Sequence, residues 1–440
     1  MQQPDGHSGK ALVRYRRRWL SRNLWRNGHR LLALLTGLPL VVIGLSGGLS
    51  VYRDSIDLWL NPALYIEASD QPLQSLDSIM SEIRKTHPNR HGSWTLEMPR
   101  SPHGTITAWF EKPKESVGQF YAPLMVSVDP YTGKVVASRF WGDTFATWLL
   151  DLHSRLLLDD AGGKVMAGLA LALAVLTLSG LSLWWPTDKP LKSAFALRVN
   201  SGLMRLLMDS HRLLGLVSAG FLLLLAFTGF HLSYPEVLES LTAAEGMAHG
   251  DAGPNVRSTA IPNDRPVSLA EAVVVARGLF PRSEVRRIST PQGDLGTYRI
   301  NLRQAGELNQ QHPFTTVWID RWSGQIRAVN NPGRFTPGQT FTTWQWPLHT
   351  GEALGNGAKA LWLLTGFAPL LLLVSGVCHW LHRKGWLQDR AIDWRRTGKR
   401  LAHWLESVML RLMLFVRYRV YPIVRRRMAG LLAAIGQRLR

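Results

Sequence analysis

Four histidines lie at matched positions in two copies of one sequence pattern. The tetrapeptide HRLL occurs at His29 and again at His211, each time at the start of an apolar run. The segments LHSRLLL around His153 and LHTGEAL around His349 precede two further apolar runs. Ionisable groups at membrane helices are costly and usually face the interior of a bundle. One such histidine alone is typical of a hydrated interfacial residue, but two matched pairs predict ligands.

Two imidazoles that face each other across a helix bundle can supply both axial ligands of a haem iron. His29 and His211 are predicted near the cytoplasmic surface, and His153 and His349 near the outer surface. Two haem groups, one near each surface, would form an electron path through the bilayer. A zinc site needs three or four close ligands, but the outer segments contain no cysteine and no clustered histidine motif. A proton relay needs carboxylates within the helices, and the apolar runs contain none.

Arg30 and Arg212 each follow a matched histidine directly. They are predicted to pair with haem propionates through charge-assisted hydrogen bonds, or alternatively only to obey the positive-inside rule. His231 and His379 lack repeat partners and are kept as substitute ligands for the outer and inner sites. Eight glycines would let a flat macrocycle approach the backbone or would serve helix packing: Gly37, Gly44, Gly47, Gly168, Gly180, Gly215, Gly229 and Gly376. His382 also lacks a partner, and the remaining seven histidines are predicted to be solvated: His7, His87, His91, His103, His249, His312 and His403.

Four uncharged apolar runs position these histidines, and each is long enough to cross a hydrocarbon core of about 30 Å: Leu31–Tyr52, Val165–Pro186, Leu213–Tyr234 and Ala360–Leu381. The 440-residue chain has a net charge of +20, and its basic excess lies in residues 1–30, 187–212 and 382–440. The positive-inside rule therefore places these segments and both termini in the cytoplasm. Contact with anionic lipid headgroups is expected, whereas nucleic acid is not an expected partner because no soluble segment carries a basic face. The single cysteine, Cys378, excludes an intramolecular disulfide.

The order helix, outer α+β segment, helix occurs twice along the chain. The turn Asp129-Pro-Tyr-Thr-Gly133 in the first outer segment predicts a hairpin, and Asp320-Arg-Trp-Ser-Gly324 takes its place in the second. The predicted fold is a polytopic α-helical membrane protein with a four-helix bundle formed by internal duplication. The predicted boundaries are a basic cytoplasmic N-terminus (1–28), helices at 29–53, 149–186, 211–235 and 345–383, outer α+β domains at 54–148 and 236–344, a cytoplasmic loop (187–210) and a basic amphipathic cytoplasmic tail (384–440).

The HRLL helices, the LHSRLLL and LHTGEAL segments and the VDPYTGKVV hairpin resemble the PepSY-associated transmembrane proteins of Gram-negative inner membranes. The resemblance covers roughly residues 25–385, with Arg321 where the hairpin motif has proline. It implies two periplasmic PepSY-like domains and similarity to siderophore-iron reductases. These carry haem b and reduce a ferric siderophore at the periplasmic face, which supports iron uptake.

The expected activity is therefore that of an oxidoreductase, with a ferric siderophore or a similar iron chelate as acceptor. Trp141, Trp148, Trp344 and Trp346 are predicted to form a docking surface or, as the favoured alternative, an interfacial belt. The sequence contains no flavin, iron–sulfur or GxGxxG signature, so the electron donor is a membrane quinol or a cytoplasmic reductase. One alternative is a membrane-anchored periplasmic module that binds peptides or regulates a protease without redox activity. Another is a transporter, which would need broken helices and polar groups at the midplane.

Overall fold

The computed structural model describes residues 7–187, 190–242, 244, 256–261, 264–355, 357–389 and 407, with side chains from residue 22. Its helices are α1 (His7–Ser50), α2 (Arg53–Leu60), α3 (Leu76–Thr86), α4 (Phe145–Arg155), α5 (Asp159–Trp184), α6 (Leu203–Ser233), α7 (Glu236–Thr242), α8 (Leu269–Leu279), α9 (Pro337–Thr343), α10 (Gln345–Thr350) and α11 (Ala358–Arg383). Its strands are β1 (Thr95–Glu97), β2 (Ile106–Phe110), β3 (Leu124–Val128), β4 (Val135–Phe140), β5 (Glu284–Ser289), β6 (Thr297–Arg303), β7 (Thr315–Asp320) and β8 (Ile326–Asn330).

Four helices of the described chain are long and apolar enough to cross a membrane, namely α1 from Arg22 onwards, α5, α6 and α11. The protein therefore combines four candidate spanning helices with an antiparallel β-sheet. The predicted first helix began at residue 29, whereas α1 begins at His7. Basic residues are good helix formers, so α1 continues through the segment that was predicted as a separate N-terminal region.

Close backbone contacts join neighbouring spanning helices. A Cβ added to Gly44 in α1 would lie 2.6 Å from the carbonyl oxygen of Gly366 in α11. Phe221 in α6 contacts Trp362 in α11, with ring centroids 5.9 Å apart. Helices α1 and α5 also pack together. Small residues at such crossings allow the close approach on which helix association in lipid depends.

A single eight-stranded sheet, in the order β4-β3-β2-β1-β5-β6-β7-β8, connects the two halves of the chain. The sequence predicts one α+β domain in each outer segment. In the structure β1 and β5 pair antiparallel, with Leu96 opposite Ile288. Strand β5 was not predicted because a register shift between Val285 and Arg287 interrupts its apolar alternation. The pairing covers the edge that each four-stranded half would otherwise expose.

One hydrophobic core lies between this sheet and two helices. Helix α3 contributes Ile79 and Ile83, which are fully buried, and α8 contributes Ala272 and Ala276. Both helices begin with a serine N-cap; that of α8, Ser268, forms a capping box with Glu271. The core therefore contains residues of both halves of the chain.

The two predicted hairpins are confirmed, and they have the same turn. Asp129 Oδ1 accepts hydrogen bonds from the N–H of Tyr131 and, more weakly, from that of Thr132. Asp320 Oδ1 accepts the corresponding bonds from Trp322 and Ser323. The glycine that ends each turn has a positive φ, +72° at Gly133 and +69° at Gly324. Replacement of proline by Arg321 therefore leaves the turn unchanged, because the aspartate and the glycine determine it.

His153 and His349 lie on short helices, whereas the sequence predicted continuous spanning helices over 149–186 and 345–383. Leu156 and Leu157, which separate α4 from α5, and Asp159, the first residue of α5, all have positive φ. Gly351, with φ +80°, ends α10 well before α11 begins. Hydropathy does not indicate the backbone φ angles, so the apolar runs did not predict these breaks between helices.

A second compact unit comprises residues 196–210 and the described residues from 378 onwards. Within it, the buried Asp209 carboxylate pairs with Arg198 at 2.8 Å and with Arg205 at 3.5 Å. The Asp389 carboxylate accepts a hydrogen bond from the N–H of Met204. The prediction of an amphipathic tail over 384–440 falls mostly outside the described residues.

Candidate functional site

The ring of His29 is held by a hydroxyl group on α5. Its Nδ1 lies 2.8 Å from Ser179 Oγ. The Ser179 hydroxyl donates its own hydrogen to the carbonyl oxygen of Leu176 at 3.0 Å. It therefore accepts from an Nδ1–H group, which makes Nε2 the basic nitrogen of His29.

The ring of His211 has the corresponding arrangement in the second half. Its Nδ1 lies 3.0 Å from the carbonyl oxygen of Leu372 and 3.0 Å from Ser375 Oγ. A carbonyl oxygen only accepts, and the Ser375 hydroxyl donates to Leu371. His211 is consequently protonated at Nδ1, and Nε2 carries the lone pair.

His153 and His349 have the same tautomer. Nδ1–H of His153 donates to the carbonyl oxygen of Ile43 at 3.0 Å. His349 Nδ1 lies 2.8 Å from Thr228 Oγ1, whose hydrogen goes to the carbonyl oxygen of Leu224. Each matched histidine therefore has Nδ1–H fixed by a neighbouring helix, as metal-ligating histidines commonly do.

The structure brings His153 and His349 together. Their ring centroids lie 5.9 Å apart, with an angle of 32° between the ring planes. The two rings belong to different halves of the chain, on α4 and α10. The positions of His29 and His211 are each defined by contacts within their own half, to α5 and to α11.

Four of the eight predicted glycines face the four imidazoles. A Cβ added to Gly47 would lie 2.5 Å from Cε1 of His153, and one added to Gly229 would lie 3.3 Å from Cε1 of His349. The corresponding distances at Gly180 and Gly376, to His29 and His211, are both 3.4 Å. The other four do not: Gly37, Gly44 and Gly215 approach α11, and Gly168 has no atom within 4 Å of its added Cβ.

The hydroxyl groups that orient the rings were not predicted as site residues. A Ser-Gly or Thr-Gly dipeptide occurs at each of the four positions, at 46–47, 179–180, 228–229 and 375–376. In three of these dipeptides the hydroxyl bonds Nδ1 while the glycine lies beside the ring. At the fourth, the Ser46 hydroxyl lies 3.2 Å from the carbonyl oxygen of Ile43, which accepts from His153 instead. The repeated dipeptide is the signal that could have identified these residues.

A comparison with protein-family models matches residues 26–383 to the PepSY-associated TM region. The chain belongs to this family. No curated protein matches it closely enough to report. The match to the PepSY-associated TM region includes all four matched histidines and the whole sheet, and it ends at Arg383, the last residue of α11.

Of the other predicted site residues of this PepSY-associated chain, Arg30 and Arg212 are repeated in both halves, whereas His231, His379 and His382 are not. His231 is 1% exposed and lies near the end of α6. Nδ1 of His379 is buried and has no hydrogen-bond partner among the described residues, whereas Nδ1–H of His382 donates to the carbonyl oxygen of Leu387. Arg30 is exposed and donates to Asn27, and Arg212 is half-buried.

Trp141 and Tyr121 contact each other, and Trp141 also bonds α4, the helix that carries His153. Trp141 Nε1–H donates to both carboxylate oxygens of Asp151, each at 2.9 Å. Tyr121 packs edge-on against Trp141, with centroids 5.2 Å apart. Burial raises the pKa of Tyr121; the charges of Glu111, Glu97 and Asp151 raise this pKa to a smaller extent, and that of Arg287 lowers it. The Tyr121 phenol therefore stays neutral and lies within electrostatic reach of both the sheet and α4.

The four predicted boundary tryptophans divide into two groups. Trp148 and Trp344 are exposed, at 39% and 46%. Trp141 instead bonds Asp151, and Trp346 contacts His312 edge-on at 5.0 Å.

Proposed function

We propose that this membrane protein is a haem b reductase that passes electrons across the membrane to an iron chelate. The observation that supports this most directly is the common state of the four matched imidazoles. Each has Nδ1–H bonded to a hydroxyl or carbonyl oxygen of a neighbouring helix, and each therefore has its lone pair on Nε2. Neutral, oriented imidazoles of this kind are the axial ligands that b-type haem requires.

The residues fit two haem groups, one per pair. His153 and His349 would hold the outer haem, and His29 and His211 the inner haem. Glycine at positions 47, 180, 229 and 376 leaves room beside each ring that a Cβ would restrict. A pair of imidazoles supplies the two axial ligands of a haem iron but fewer ligands than zinc requires. Bound haem would supply reversible one-electron transfer.

The protein chain would position the rings and exclude the other tautomer. Serine and threonine hydroxyls that already donate to their own helix can only accept from Nδ1–H, so they select the coordinating nitrogen. Arg30 and Arg212, next to the inner histidines, would neutralise propionates by charge-assisted bonds.

The repeated element order supports a duplication with a pseudo-two-fold axis along the membrane normal. The basic segments would lie in the cytoplasm and the sheet in the periplasm of a bacterial inner membrane. Electrons would enter near His29 and His211 from a quinol or a cytoplasmic reductase. They would leave near His153 and His349.

The proposed acceptor is a ferric siderophore or a similar periplasmic chelate. One electron converts its Fe(III) to Fe(II), and the donor loses one electron for each iron reduced. Oxygen donors that suit the small, highly charged Fe(III) bind Fe(II) less tightly, so reduction releases the metal for uptake.

A dithionite-reduced minus oxidised spectrum of the purified protein, with haem quantified per chain, tests the proposal. We expect b-type bands and two haems. His153→Ala and His349→Ala should each remove one haem and leave the inner haem spectrally intact, while the exposed His91→Ala should remove none. Absence of b-type bands refutes the reductase and favours the peptide-binding anchor. Loss of both haems from a folded outer-site variant refutes the proposed pairing.

A further inference from the structure

A group of arginines lies on the sheet face opposite the hydrophobic core and continues to the start of α2. It is called the arginine face, and its members are Arg53, Arg100, Arg286, Arg287 and Arg303 with the carboxylates Asp54, Glu97 and Glu284. Its arginine side chains are between 14% and 35% exposed. Five cations against three anions leave a positive surplus on this face. Arg299 and Arg303 alternate along β6 with core residues, so Arg299 lies on the same face.

Two carboxylates of the arginine face are each shared by two arginines. Asp54 pairs with Arg53 at 3.3 Å and with Arg100 at 3.8 Å. Glu97 pairs with Arg100 at 3.4 Å and with Arg287 at 3.2 Å. Because each carboxylate serves two guanidinium groups, the internal pairs do not use all the N–H donors of the arginines.

The third carboxylate is also shared by two arginines, and several arginine N–H donors remain unused. Glu284 pairs with Arg286 and, at 3.7 Å, with Arg303. The buried Nε–H groups of Arg286, Arg287 and Arg303 have no hydrogen-bond acceptor in the described part of the chain. A buried donor without an acceptor is unfavourable. Oxygen atoms of a bound anion would satisfy these groups.

The arginine face is close in the chain to the outer histidines. Gly47 lies against the ring of His153, and Asp54 follows seven residues later, which limits the distance between their Cα atoms to about 25 Å even in a fully extended chain. Tyr121 responds to the charges of Arg287 and Glu97 on this face and of Asp151 on α4. An acceptor bound to the arginine face would thus lie near α4, the helix that carries His153.

Resting on the proposed function, we infer that the arginine face binds the acceptor and that this acceptor is an anionic ferric chelate of the carboxylate type. The guanidinium fork matches a carboxylate with two parallel N–H···O bonds, which lysine cannot provide. A cationic surface also concentrates anions and raises their rate of association. A neutral or cationic chelate gains neither advantage.

Binding can be tested without electron transfer. The probe is gallium(III) citrate, which is redox-inert, and the reference is a neutral gallium(III) trihydroxamate complex. Both are titrated by calorimetry into full-length protein in zwitterionic nanodiscs. We expect the citrate complex to bind at least about tenfold more tightly, because a charged hydrogen bond contributes about 1.5–3 kcal/mol.

Three variants change the charge in different ways. Arg287→Gln should weaken binding of gallium citrate by about tenfold to 100-fold. Glu97→Gln removes an anion from the same face and should tighten binding. Arg265→Gln serves as control, because Arg265 is 84% exposed beside α8, in the helix layer on the other side of the sheet. Circular dichroism establishes that each variant is folded.

The outcomes distinguish failure of the inferred acceptor site from failure of the proposed reductase function. Equal affinity for the two gallium complexes overturns the inference, as do unchanged affinities in both Arg287→Gln and Glu97→Gln, even when the protein reduces iron. Selective citrate binding with opposite effects of these two variants supports the inference. The same result in a protein without b-type bands supports the anion site and refutes the proposed reductase.

Discussion

Replacement of Gly47 by alanine should disturb the outer pair more than any other glycine-to-alanine change at the four imidazoles. The new Cβ would lie 2.5 Å from Cε1 and 2.7 Å from Nδ1 of His153. Favourable contacts between carbon atoms need about 3.5–4.0 Å, so the ring must withdraw by about 1 Å. Overpacking of this kind destabilises by about 1–3 kcal/mol. The withdrawal also breaks the Nδ1–H bond to Ile43, and the ring loses its orientation.

Two other glycines provide matched controls. In Gly229→Ala the nearest ring atom, Cε1 of His349, is 3.3 Å away, so a shift of a few tenths of an ångström suffices. In Gly168→Ala the added Cβ meets nothing within 4 Å. The expected order of haem loss is therefore Gly47→Ala, then Gly229→Ala, with no loss in Gly168→Ala.

The assay is the haem-to-protein ratio of each purified variant, together with a redox titration of the remaining haem. Gly47→Ala should retain one haem with the midpoint potential of the inner site. Retention of both haems with unchanged potentials in Gly47→Ala would refute the assigned role of this contact. Haem loss in Gly168→Ala would show that any added methyl group disturbs the bundle.

Three further predictions concern the ligand environment, the backbone and the sheet. Thr228→Val keeps the side-chain shape but removes the acceptor for Nδ1–H of His349, so we expect the outer haem to bind about 10–100-fold more weakly. Transfer of haem to apomyoglobin measures this affinity, and an unchanged rate of transfer would contradict the assigned tautomer. Leu157 has φ +57°, so Leu157→Gly should stabilise the folded protein by about 1 kcal/mol. Leu171→Gly, in the interior of α5, should instead destabilise it by about 1 kcal/mol. Thermal unfolding of both variants in one detergent compares them, and equal losses of stability would argue against backbone strain at Leu157. Burial alone raises the pKa of Asp320, but hydrogen bonds from Ser323 and Thr259 and the Arg327 guanidinium outweigh it and hold this pKa below its usual range. The stability that ionised Asp320 contributes is therefore complete above about pH 4 and is lost as the pH falls towards the lowered pKa, so Asp320→Asn should be less stable at neutral pH and lose less on acidification; an unchanged acid limb in a melting series would refute this.

Hydropathy and repetition made much of the architecture readable. Uncharged runs of about 20 residues predict membrane spans because the hydrocarbon core requires that length. The hairpin at Asp129 was predictable because its aspartate and glycine specify the turn locally. The HRLL repeat identified His29 and His211 as a matched pair because this motif, like the hairpin turn, lies within a few adjacent residues.

Other features depended on contacts between distant segments. Strand β5 pairs with β6 and also with β1, almost 200 residues earlier in the chain. Arg286 and Arg287 interrupt its apolar alternation, so the sequence pattern does not indicate a strand. The union of two predicted domains in one sheet follows from that pairing. The breaks after α4 and α10 depend on positive φ angles at residues such as Leu156, which composition does not reveal.

By itself, the sequence determined which histidines are matched. Only the tertiary structure decided which nitrogen of each ring can coordinate a metal. That choice depends on the group that faces Nδ1, for example Ser179 for His29 and Ile43 for His153. These partners lie more than 100 residues away in the chain, and a hydrogen bond acts only over about 3 Å in space.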